Sequence, residues 1–180
     1  MEEVRRSSGP CGRSRKTMQG ATEVHHARAA CVINHNGEPC LASTLDALLA
    51  EGSAFDEIVL VDDASTDGSL DLTRRRFPGV RVLPLAENRG PAHARNVAFG
   101  ATRAPRVLFV DNDVCVRPGS VRLLEEALDM RPAAVLAMPR VVFAHDPGTI
   151  QYDGAASHFL GVMIPENEGR PAAGAGAETR

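Results

Sequence analysis

Three short apolar runs in this chain each end in a polar cluster able to hold charge. Ala30-Cys31-Val32-Ile33 runs into Asn34-His35-Asn36, Ile58-Val59-Leu60-Val61 into Asp62-Asp63, and Val107-Leu108-Phe109-Val110 into Asp111-Asn112-Asp113. Carboxyl groups gathered at one edge repel one another unless a cation or hydrogen-bond donors compensate. Carboxylate oxygens are hard donors suited to Mg2+ or Mn2+, which take one or two of them and fill other positions with substrate phosphates. An Asp-x-Asp turn lets one carboxylate meet such an ion while the other orients a neighbouring group. One cluster alone reads more simply as turn or cap chemistry; two at corresponding strand ends favour a site. Arg95 carries a fork that suits diphosphate oxygens, yet it fits equally well as a solvated helix arginine. Ser65 and Asp67 stand where a helix begins and read mainly as caps. Asn88-Arg89-Gly90-Pro91 is likewise a turn with its cap. His35 and His93 are weaker candidates for ligand contact, because no partner carboxylate can be assigned to either.

The elements that must position these residues alternate along the chain. After the first apolar run, Pro39 to Glu51 sets Leu41, Leu45, Leu48 and Leu49 at helical spacing, with Gly52 as a stop. Ser69 to Phe77 fits a second helix, Val80 to Leu85 a third strand, and Pro91 to Thr102 a third helix with proline in its first turn. Leu123 to Met130 reads as helix and Ala133 to Met138 as a fifth strand. Strands apolar throughout and separated by helices imply a doubly wound, mostly parallel sheet covered on both faces. Such α/β sheets bind ligands beyond the carboxyl ends of their strands, where all three polar clusters would gather. Residues 1–28 are polar and aperiodic and read as a disordered leader. The glycine- and alanine-rich end, 166–180, reads as a flexible tail, leaving 29–165 as the domain.

Composition narrows the function classes. With 180 residues the chain can form one domain with a real core. A net charge of −3, one Tyr and no Trp argue against nucleic acid, since neither a basic stripe nor stacking platforms are present. The four cysteines lack metal or disulfide spacing and read as small buried thiols in a reducing compartment. No apolar run approaches the roughly 18 residues of a membrane span, so a soluble, cytoplasmic protein is expected. A phospho-acceptor receiver domain would need a lysine beyond its acidic cluster, but the only lysine is Lys16. A nicotinamide-binding domain would need Gly-x-Gly-x-x-Gly after the first strand, and Asn34 to Cys40 has one glycine.

Taken together, Ile33-Asn-His-Asn-Gly37, Val61-Asp-Asp-Ala-Ser-Thr-Asp-Gly68, Asn88-Arg-Gly-Pro-Ala-His-Ala-Arg-Asn96 and Phe109-Val-Asp-Asn-Asp113 with Pro118 resemble the family 2 glycosyltransferases of GT-A fold. Order and spacing match across about residues 29–145, and the Asn-x-Asn-Gly turn is similar to that of the rhamnosyltransferase-like branch. The resemblance implies inverting transfer from a UDP- or dTDP-sugar to a saccharide or lipid-linked hydroxyl, in the cytoplasm or peripherally at the inner membrane face. It implies that Asn34, Asn36 and Asp62 belong to the nucleotide site and that Asp63 meets the base edge. Asp113 would hold Mg2+ or Mn2+, with Asp111 beside it and the ribose or sugar. The family's catalytic base follows later, in an acidic motif. Asp146, Asp153, Glu166 and Glu168 do not stand in that context, so the base stays unassigned and the chain is expected to stop before the acceptor region. Two readings follow: a transferase, or a shortened protein that binds nucleotide-sugar without transferring it. Apolar surface left by a missing half would favour association between copies.

Overall fold

The computed structural model describes residues 27–157 and 163–173. The expected leader lies almost wholly outside them, as does the end of the chain from 174. Four parallel strands form the central sheet: β1 (Arg28–Asn34), β2 (Glu57–Asp62), β3 (Arg81–Pro84) and β4 (Arg106–Asp111), in the order β3-β2-β1-β4. They are joined through α1 (Glu38–Ala50), α2 (Ser69–Arg76) and α3 (Pro91–Ala101). The order runs outward from β1 to β3 and then jumps back to β4, which places a topological switch point between β1 and β4.

Period-2 alternation sorts the core into two layers. Ala30 and Val32 of β1 and Ile58 and Leu60 of β2 face α1, where they pack with Leu41, Leu45 and Leu48. Cys31, Ile33, Val59 and Val61 face the opposite side and pack against Ala94 and Ala98 of α3. Small residues on α3 bring its backbone close to the sheet. α4 (Ser120–Asp129) follows the Asp111–Asp113 turn. Its acids pair with the first residues of two strands, Glu125 with Arg28 and Arg106, and Asp129 with Arg106. Those pairs sit at the amino edge of the sheet, away from the polar clusters.

The expected fifth strand at Ala133–Met138 does not form. Val135 is 99% and Leu136 77% exposed, and no strand among the described residues pairs with that stretch. Pairing occurs later, between β5 (Val141–Val142) and β6 (Ile150–Tyr152), and between β7 (Ala155–Ser157) and β8 (Met163–Pro165), both antiparallel. Part of the stretch expected to be tail is tied in as well. Thr149 bridges Pro171, Ile150 N–H donates to Arg170 O (2.8 Å), and Ala172 N–H to Gly148 O (2.7 Å). No helix among the described residues is long and apolar enough to cross a membrane.

The cysteines divide where uniform burial was expected. Cys31 is buried, while Cys40 and Cys115 are exposed, because they lie on the outer face of α1 and on the loop after the Asp111–Asp113 turn. Burial, with the nearby Glu57 carboxylate adding to it, pushes the Cys31 thiol up to about 11, so little thiolate forms near neutrality. In a Cys11→Ser chain, a thiol reagent at pH 8 should therefore titrate Cys40 and Cys115 promptly and Cys31 only on unfolding. Fast reaction of all three would contradict this assignment.

Candidate functional site

The pleat that sorts the core also sorts the polar clusters. Asn34, Asp62 and Asn112 continue the α1 side of β1, β2 and β4. Ile33, Asp63, Asp111 and Asp113 continue the α3 side. The two sides have different fates.

On the α1 side the groups satisfy one another. Asn34 and Asp62 are 0% exposed and sit opposite each other in the β1–β2 register. The Asn34 amide donates to Asp62 Oδ2 (2.7 Å) and to Ser65 Oγ (3.0 Å), and its Oδ1 accepts from Asn112 Nδ2 (2.9 Å). Asp62 also accepts from the Ser65 backbone N–H (2.9 Å) and from the Ser65 hydroxyl (2.6 Å). Asn36, left-handed at φ 51°, is bound to the same loop. Its N–H donates to Ser65 Oγ (2.9 Å) and its Oδ1 accepts from Thr66 N–H (2.8 Å). Buried polar groups with every partner supplied, as Asn34 and Asp62 are, are cohesive and expensive to disturb. Asn34 and Asp62, with the exposed Asn36 tied to the same loop, brace the strand ends beside the cleft and do not line it.

Asp67 completes this bracing by joining two helices. Its carboxylate accepts from the Glu38 N–H at the start of α1 (2.9 Å), and from the Ser69 N–H (3.0 Å) and hydroxyl at the start of α2. Burial raises the Asp67 carboxyl, but these hydrogen bonds outweigh it and hold the group below its ordinary value. A depressed carboxyl stabilises the fold above its unfolded value near pH 4 and loses that contribution as pH falls through the folded value. Urea unfolding followed from pH 6 to pH 3 should show stability falling on the acid side, with a shallower fall in Asp67→Asn. An unchanged slope would remove Asp67 from the account.

On the α3 side the groups line a cleft of about 380 Å³ at the switch point. Asp63, Arg95, Asp111 and Asp113 all border it, together with His35, Asn88, Gly90 and, despite its anchoring on the α1 side, Asn112. Asp63 is 2% exposed. It accepts the Arg89 N–H (3.0 Å) and Gly90 N–H (2.8 Å) on separate oxygens, which folds the loop before α3 over it. Gly90 has φ 84°, a conformation cheap only for glycine. Beside it, His35 donates from Nδ1 to the Asp63 carbonyl (2.8 Å), which leaves Nε2 to accept from Asn36 Nδ2 (3.2 Å). Across the cleft Arg95 forms an ion pair with Asp111 Oδ1. Asp113 is exposed and pairs with no described residue.

No group of three or more His, Cys, Asp or Glu among the described residues gathers into a ready-made metal site. Two hard carboxylates on one turn are nevertheless the donor set that Mg2+ or Mn2+ uses when substrate phosphates supply the rest. Asp113 is available for this, and Asp111 becomes so once Arg95 turns elsewhere. The parity rule was available in the sequence: Asp111 and Asp113 differ by two and face one way, and the residue between them faces the other. What spacing could not reveal was the bracing by Ser65, Asn112 and Thr44, which depends on three elements meeting.

Residues 29–170 match the family model described as glycosyl transferase family 2. The succinoglycan biosynthesis protein ExoO of Rhizobium meliloti (strain 1021) is 33% identical over 105 residues, covering 58% of this chain and 30% of ExoO. The putative teichuronic acid biosynthesis glycosyltransferase TuaG of Bacillus subtilis (strain 168) is 27% identical over 140 residues, 71% of this chain and 56% of TuaG. Among solved structures, residues 1–349 of S. aureus TarS superpose with a TM-score of 0.52 at 25% identity, over 66% of this chain and 40% of that one. The same protein in complex with UDP-GlcNAc gives the same score and identity, over 66% of this chain and 38% of that one. The chain therefore spans about a third to a half of the length of these relatives. With its parallel sheet between helix layers and a family match over most of its length, the chain belongs to glycosyl transferase family 2.

Proposed function

We propose that the cleft binds a UDP- or dTDP-linked hexose or rhamnose with Mg2+ or Mn2+, for inverting transfer to a saccharide or lipid-linked hydroxyl. The observation that carries this reading is the gathering of Asp63, Asp111 and Asp113 on the α3 side of one sheet edge, facing Arg95. The occurrence of UDP-GlcNAc in the similar TarS structure and the polymer-building names of ExoO and TuaG support it. Asp63 keeps lone pairs after accepting two backbone N–H groups, enough to accept an N–H from a pyrimidine edge. Asp113 would hold the ion with Asp111, and Arg95 would exchange Asp111 for a phosphate oxygen, where its fork is matched. A bound divalent cation there supplies charge neutralisation for the departing nucleoside diphosphate.

One observation favours the second reading, binding without transfer. Asp146, Asp153, Glu166 and Glu168 do not border the cleft. Asp153 is held by Asn167 Nδ2 (2.8 Å) and Arg140 Nε (3.0 Å). The Asn167 hydrogen bond first and then Arg140 keep its carboxyl below the ordinary range, which suits a structural ion pair better than a base. Calorimetric titration of UDP- and dTDP-sugars with and without Mn2+, followed by hydrolysis and transfer assays, separates the readings. Mn2+-dependent binding with turnover supports the transferase, and binding without turnover supports the binder. Failure to bind any nucleotide-sugar sinks both.

A further inference from the structure

We propose that Thr44 and Asn112 are positioning residues that aim the Asp111 and Asp113 carboxylates into the cleft. The inference rests on the metal reading of that turn and concerns what holds it in shape. Asp111 is the last residue of β4, and beyond it the chain must turn while keeping two carboxylates on the α3 side. Among the described residues, nothing on that side holds Asp113. The constraint comes from the opposite face. The Asn112 side chain donates to Asn34 Oδ1 (2.9 Å), and the Asn112 carbonyl accepts the Thr44 hydroxyl of α1 (2.7 Å). Both anchors are buried, Asn34 at 0% and Thr44 at 1% exposure.

Asn34 is held rigidly in turn, because its amide hydrogens are spent on Asp62 and Ser65. The residue between the two acids is therefore gripped at its side chain and its carbonyl from two elements. A peptide fixed at both points leaves the flanking side chains little freedom except rotation about their own bonds. Gly37 roofs this arrangement, since a Cβ there would overlap Asn112 Nδ2 and Asn34 Oδ1. Thr44 does not border the cleft, so it can affect a bound ion only by way of the turn.

The test compares Thr44→Val, Thr44→Ser and Asn112→Ala with the unaltered chain and with Asp113→Ala. Mn2+ binding in the presence of UDP is read from the electron paramagnetic resonance signal of free Mn2+, and metal-free UDP binding by calorimetry. Groups that orient metal ligands typically change metal affinity about tenfold to a hundredfold. Thr44→Val, isosteric and without the hydroxyl, should weaken Mn2+ binding about tenfold, and Thr44→Ser should restore it. Asn112→Ala should match or exceed the loss; because Asn112 also borders the cleft, the metal-free control is read in Thr44→Val, where UDP affinity should stay within about twofold. Should Asn112→Ala fail to fold, Thr44→Val carries the decision.

Equal weakening of Mn2+ and metal-free UDP in Thr44→Val would overturn the positioning role in favour of general loosening. Unchanged Mn2+ affinity in Thr44→Val would overturn it while leaving the metal reading intact, provided Asp113→Ala still abolishes Mn2+ binding. If the unaltered chain binds no Mn2+ with UDP, the metal reading fails and this inference fails with it.

Discussion

Replacing Asp113 by alanine is expected to remove the Mn2+-dependent part of nucleotide-sugar binding while leaving the fold unharmed. The two halves of that expectation come from one observation. Asp113 is exposed and has no hydrogen bond or ion pair to a described residue, so truncation strands no partner and opens no cavity. Substitutions of that kind usually move stability by under about 0.5 kcal/mol. A direct ligand should matter at least as much as the groups that orient it, which puts the loss of Mn2+-dependent affinity at about a hundredfold or more. Asp111→Ala should behave differently. It frees Arg95 from its ion pair, so part of the lost nucleotide-sugar affinity returns as a better arginine–phosphate contact, especially at low ionic strength. Calorimetry with a UDP-sugar, with and without Mn2+, reads both. If Asp113→Ala keeps full Mn2+ dependence, the metal is held elsewhere.

The first two-thirds of the fold was legible because its elements are locally over-determined. β2 was expected at Ile58–Val61 and runs Glu57–Asp62; α3 was expected at Pro91–Thr102 and runs Pro91–Ala101. Four apolar residues between turn signals favour a buried strand where a neighbouring strand is available, and a proline opening a helix marks its first turn. Ala133–Met138 failed because an apolar run becomes a strand only where a partner edge meets it, and partner edges are not written in the run itself. Val135 at 99% exposure is the outcome. The gathering of polar residues at the strand ends was legible, but the face each one takes was not. Asp62 is an aspartate like the cleft acids, yet strand parity turns it and Asn34 toward the α1 side, where Ser65 and Asn112 take up their hydrogen bonds, while Thr66 holds Asn36 in the loop beyond.

That division makes Gly37 the position where the smallest change should do the most structural harm. Gly37 flanks α1 at φ −98°, a conformation open to any residue, so backbone strain gives no reason for glycine there. Space does. A methyl group at Gly37 would overlap Asn112 Nδ2 and Asn34 Oδ1, the two ends of one hydrogen bond. Neither end can swing away cheaply, because Asn34 is bound to Asp62 and Ser65 and the Asn112 carbonyl is bound to Thr44. Overpacking of this kind costs about 1–3 kcal/mol, and a buried amide left without its partner about 1–3 kcal/mol more. For a chain of this size that total lowers Tm by roughly ten degrees. Gly37→Ala should therefore melt early by circular dichroism, and its cost should shrink when Asn112→Ala removes one of the atoms the methyl meets. Groups in contact give such non-additive cycles, whereas distant ones sum. Strictly additive losses in the double variant would mean that Gly37 and Asn112 act separately, and the roof over the Asp111–Asp113 turn would have to be something other than this hydrogen bond.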